Sequence, residues 1–194
     1  MKQCAAVLLA LILALGLIGC GRPDTLEKTG GTSMSVEWKA AVSYANWSED
    51  ASIFFGALNR DKMAVSSVQH LPIYRMDTAE DLEQFMDAYD GIFSFDQSYD
   101  EMPSFHDVAA RYDEAFFEEG TLLIVYVSAN GGTYRFDVSE VARDGESLCV
   151  RVEQTNDPEA VTEDMAGWLA VVAVPDSALA GCTTFDAGLY RSEP

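Results

Sequence analysis

Apolar residues recur along the chain with different periods, and each period predicts a different element. Val36, Trp38, Ala40, Val42 and Tyr44 alternate with Glu37, Lys39 and Ser43. That period of two predicts a strand with one buried face. The next stretch, NWSEDASIFFGALNRDK, carries no assignable period. MAVSSVQHLPIYRM then predicts one or two short extended pieces broken near Pro72, which has no N–H to give to a ladder.

Two helices follow. In DTAEDLEQFMDAYDG, Asp77 or Thr78 can cap an acidic first turn, Leu82, Phe85, Met86 and Tyr89 fall on one face, and Gly91 suits the end. In SFHDVAARYDEAFFEEG, Ser104 can cap, and Phe105, Val108, Ala109, Tyr112 and Phe116 form a stripe that runs to Gly120.

The last third returns to strands. TLLIVYVS is a continuous apolar run, and GGTYRFDVSEV alternates Tyr134, Phe136 and Val138 with Arg135 and Asp137. The pair Asp144-Gly145 marks a tight turn into ESLCVRVEQ. After the polar loop NDPEAVTED, MAGWLAVVAVP is a further core strand closed by Pro175. Residues 121–175 therefore predict a four-stranded antiparallel meander. With the two amphipathic helices, the whole reads as an α+β domain that is mainly antiparallel sheet.

The amino-terminal part belongs to none of these elements. Lys2 is followed by an apolar run from Ala5 to Ile18, shorter than the roughly 20 residues of a membrane span, which is the anatomy of a signal peptide. The run ends in Leu17-Ile18-Gly19-Cys20, which resembles the lipobox of bacterial lipoproteins. The resemblance implies that residues 1–19 are removed, that Cys20 is lipidated, and that the chain sits on the extracytoplasmic face of a cell membrane. GRPDTLEKTGGTS then reads as a tether, so residues 20–33 link the lipid to one folded domain at 34–194.

Charge narrows the partners. The chain has a formal net charge of −20, and losing residues 1–19 removes one lysine and no acid. Nucleic acid and anionic lipid would both repel such a body, so the acyl group, not charge, must provide the membrane attachment. The two remaining cysteines, Cys149 and Cys182, belong to no CxxC or zinc spacing. They either pair, which would add about 3–4 kcal/mol by closing their loop, or stay separate thiols. The alternation of ESLCVRVEQ puts Cys149 with Arg151 and Glu153, on the face where Cys182 is expected to reach it.

A second resemblance rests on Phe116-Phe117, the apolar run Leu122 to Val127, the pair Gly131-Gly132, Tyr134 and the alternation after it. Residues 121–175 are in these respects similar to the C-terminal domain of the PrcB family, lipoprotein subunits of bacterial surface protease complexes. Thr133 between the glycines and the tyrosine, and Trp168 after Gly167, depart from the family pattern. The resemblance implies a non-catalytic subunit that contacts another exported protein, and it places no catalytic residue. On the residues alone, SANGGTYR is either a turn or an exposed hairpin tip presenting Asn130, Gly131, Gly132, Thr133 and Tyr134 to a partner.

Other chemistry finds little support. There is no G-x-S-x-G, HExxH, Walker loop or dinucleotide fingerprint, so no cofactor is expected. An enzyme would have to use His70 or His106, and a deep pocket joining a histidine to a serine, cysteine or carboxylate would favour that alternative. Residues 77–119 hold 14 acidic residues against one arginine. Asp96, Asp100 and Glu101, between the helices, are the candidates for a calcium or ligand module, although the EF-hand spacing fails and solvated helix faces explain the acids as well.

Overall fold

Two strands with hardly a polar residue decide the architecture. The computed structural model describes residues 34–47, 68–160 and 166–190. Cys20, the tether and most of the unassigned stretch after Trp47 lie outside them. One sheet runs in the order β1 (Met34–Ser35), β7 (Phe136–Asp144), β8 (Ser147–Gln154), β10 (Thr184–Tyr190), β3 (Val68–His70). The other runs β4 (Ile73–Met76), β6 (Gly120–Ala129), β9 (Ala166–Pro175), β2 (Lys39–Trp47), β5 (Phe93–Ser94). Every pairing is antiparallel except β8 with β10.

The sheets face each other across one core, and the second sheet carries another core on its far side. Leu123, Val125 and Val127 of β6, with Trp168, Ala170 and Val172 of β9, meet Val138 and Val141 of β7 and Val150 and Val152 of β8. The alternate residues Leu122, Ile124 and Tyr126, with Leu169 and Val171, meet the helical layer. Strands buried on both faces need apolar residues at every position, whereas β7 and β8, with one face outward, alternate. In β9, Gly167 sits against both neighbours: a Cβ there would stand 2.9 Å from Tyr126 Cε2 of β6 and 3.1 Å from the Ala45 carbonyl of β2.

That layering corrects the expected meander. Its four strands occupy the predicted spans, and β7 and β8 form a hairpin in which Gly145 has φ +60°. However, β6 pairs with β9 and not with β7, because both are too apolar to sit where one face meets water. The chain crosses between sheets after β6 and again after β8. Pro72 marks another crossing, separating β3 in one sheet from β4 in the other. The short alternation of Phe185, Ala187 and Leu189 is too brief to predict β10.

Among the described residues there are three helices. In α1 (Ala79–Tyr89) the capping box is complete: Asp81 N donates to Thr78 Oγ1 and Thr78 N to Asp81 Oδ2, both at 3.0 Å. Leu82 and Phe85 are buried, and Gly91 follows the cap at φ +81°. The second expected helix is broken. α2 (Phe105–Ala109) stops, and a separate 3₁₀ turn covers Phe116–Glu118. Asp113 accounts for the break, since its Oδ1 accepts from Phe116 N at 3.1 Å and so starts a new turn. The stripe still faces inward: Phe105 and Val108 are fully buried, and Tyr112 and Phe116 pack at the edge of the same core. The last helix, α3 (Asp176–Leu179), follows β9.

Candidate functional site

The segment after β6 is a fixed crossover, not a projecting hairpin tip. Asn130 is exposed, but Gly131 and Gly132 are buried, and Thr133 and Tyr134 are half-buried, with Tyr134 packed against the core between the sheets. Arg135 ties the segment together. Its Nη1 donates to the Gly132 carbonyl at 2.7 Å and to the Tyr134 carbonyl at 2.9 Å. Asn156 closes the other side, donating to the Thr133 carbonyl at 2.8 Å and accepting from Arg135 N at 2.7 Å. Of residues 130–134, Asn130 alone is exposed.

Arg135 also joins the crossover to the acidic loop. Its guanidinium lies 3.1 Å from Asp100 Oδ2 and 5.5 Å above the Tyr99 ring. Asp100 adopts φ +55°, a conformation that aspartate tolerates better than most residues. Two of the candidate calcium ligands are thus engaged by side chains of the chain itself, Asp100 by Arg135 and Asp96 by His106. Glu101 is exposed, and the described residues contain no group of three side chains placed to hold a metal ion.

His106 opens onto a cleft of about 470 Å³ between the end of α1, β5 and the start of α2. The floor includes Phe93 and Phe95, both buried, and the rim carries Asp87, Asp90 and Asp96. His106 Nδ1 stands 2.5 Å from Asp96 Oδ1, and the exposed Ser94 lines the same cleft. A histidine, a carboxylate and a serine therefore share one depression. The pair is nevertheless solvated: the side chains of His106 and Asp96 are 55% and 86% exposed, where water screens their attraction. Nothing in the spacing of Asp87, Asp90, Asp96 and His106 marks them as neighbours, because the chain turns through β5 before they meet.

His70 lies elsewhere, on β3, with Nδ1 3.3 Å from Asp186 Oδ1 on β10. Cys149 is the register partner of Asp186, so a thiol, a carboxylate and an imidazole come together on three adjacent strands. The thiol is not activated. Burial, then the negative charges of Asp186 and Glu140, push its pKa up to about 12, against a smaller opposing effect of Arg151. Cys149 and Cys182 are both free thiols. Their separation has a structural reason: Cys182 packs toward the core between the sheets, while Cys149 lies on the other face of β8 from the buried Leu148, Val150 and Val152. The expectation that the two cysteines share a face is corrected accordingly.

No helix among the described residues is long and apolar enough to cross a membrane. Comparison of the chain with protein-family models, with curated proteins and with solved structures finds no match in any of the three.

Proposed function

We propose that this chain is a lipid-anchored extracytoplasmic protein acting as a non-catalytic binding or assembly subunit for another exported protein, such as an exported protease. One observation carries the location: the tetrapeptide Leu17-Ile18-Gly19-Cys20 directly after an apolar run too short to span a bilayer. The acidic body supports lipid as the means of attachment, because anionic headgroups would repel it. The resemblance of residues 121–175 to the PrcB family supports the subunit role. Support also comes from Cys149, whose surroundings hold its proton in place, and from the crossover at 130–135, which presents Asn130 on an already ordered backbone and so reduces the ordering cost of binding.

A photo-crosslinking amino acid in place of Asn130 tests this reading in native membranes. The expected result is fractionation with the membrane and a crosslink to one exported protein. Recovery in the soluble fraction without a specific crosslink would overturn it.

One observation favours a second reading, a hydrolase built on Ser94, His106 and Asp96 in the cleft. Ser94 ends the two-residue strand β5 in water, without the strained elbow that raises a serine's reactivity. Hydrolysis of an ester panel that disappears in Ser94→Ala would establish this reading over the first.

A further inference from the structure

We infer that the cleft between α1, β5 and α2 is the docking pocket for a basic side chain, lysine or arginine, carried by the protein partner. This inference rests on the binding-subunit reading and gives it a place and a chemistry. The cleft's volume of about 470 Å³ lies within the roughly 300–1,000 Å³ of ligand pockets. Its floor is apolar and preformed. Phe93 and Phe95 are 3% and 7% exposed, and the rings of Phe85 and Phe105 pack against Phe95.

The rim is anionic, and two of its three carboxylates have no partner among the described residues, Asp96 being held by His106. Asp87 and Asp90 stand one turn apart at the end of α1, and neither carboxylate makes an ion pair or hydrogen bond among the described residues. Their position goes against the helix, whose C-terminal end carries partial negative charge and favours cations. The last turn of α1 contains no basic residue. A cation arriving from outside would relieve that repulsion, with Asp96 contributing a third carboxylate.

Lysine and arginine match both surfaces at once. Their methylene stems can lie on the apolar lining of Met86, Ile92, Phe93 and Phe95 while the charged head stays at the wet rim. A bare metal ion would leave the floor unused, and the rim residues do not form a metal-holding group.

The test uses the full ¹⁵N-labelled chain in zwitterionic micelles, titrated with acetyl-Val-Lys-Val-amide, its arginine counterpart and its norleucine counterpart. The lysine and arginine peptides should shift the Ser94, Phe95 and His106 amides saturably, and norleucine should bind at least about fivefold more weakly. Asp87→Asn with Asp90→Asn should weaken the lysine peptide about fivefold, whereas the charge-matched control Asp157→Asn with Glu159→Gln should leave it unchanged. Absence of saturable shifts at those amides, equal binding of norleucine, equal loss in the control, or the same shifts from calcium chloride would each overturn the pocket. The Asn130 crosslink separates the two levels. A crosslinked partner beside a cleft that ignores the peptides removes only the pocket, and a cleft that binds them in a chain without any partner removes the subunit reading and the docking role with it, leaving only a cleft that takes basic side chains.

Discussion

Gly167 shows how far one residue's environment can be read from sequence. It looks like an ordinary glycine in an apolar strand, yet its missing side chain lets Tyr126 and the Ala45 carbonyl approach. Gly167→Ala should lower stability by about 1–3 kcal/mol in urea unfolding, because the Ala45 backbone cannot move aside. An unchanged midpoint would show that the strands tolerate the methyl group. Cys149 teaches a related lesson. Its alternation with Leu148 and Val150 correctly placed it on the outer face of β8, but that alternation said nothing of where Cys182 would point. Polar partners such as Asp186 for His70 were also invisible, since they come from strands far apart in sequence.

Among the elements, period and capping were the legible part. Thr78 and Asp81 start α1 as their spacing predicts, and the Asp144-Gly145 turn joins β7 to β8. The stripe from Phe105 to Phe116 identified the right buried residues but not the break within it, because Asp113 takes over a backbone N–H that a continuous helix would have used. Connections were less legible than elements. Continuous apolar runs reveal double burial, but a meander and two crossovers between sheets have the same strand pattern; the pairing of β6 with β9 depends on which strands most need covering. Arg135 holds one of these crossovers to the loop between the helices. Arg135→Ala should cost about 1–3 kcal/mol by removing the guanidinium that donates to the Gly132 and Tyr134 carbonyls and pairs with Asp100, and should speed amide exchange at Tyr134. Equal stability with unchanged exchange would mean that Asn156 alone fixes the segment.

For the whole molecule, the outer face of the first sheet sets a limit at high pH. Unfolded, Cys149 and Tyr190 lose their protons near 9.0 and 10.0; folded, both keep them to about 12, burial being the main cause. The unfolded chain therefore binds fewer protons in that window, and stability should be intact below pH 9 and fall as pH rises from about 9 toward 12. Denaturant midpoints across that range check the slope, which Tyr190→Phe should reduce; a flat profile would contradict the assigned burial.

Location is a property of the whole chain as well, and the acidic domain supplies no attraction to a bilayer of its own. Intact-mass measurement of the protein taken from native membranes tests the proposed anchoring most directly. The expected mass is that of a chain that begins at Cys20 and carries a diacylglyceryl group. A chain that retains residues 1–19, or that begins at an unmodified Cys20, would contradict it.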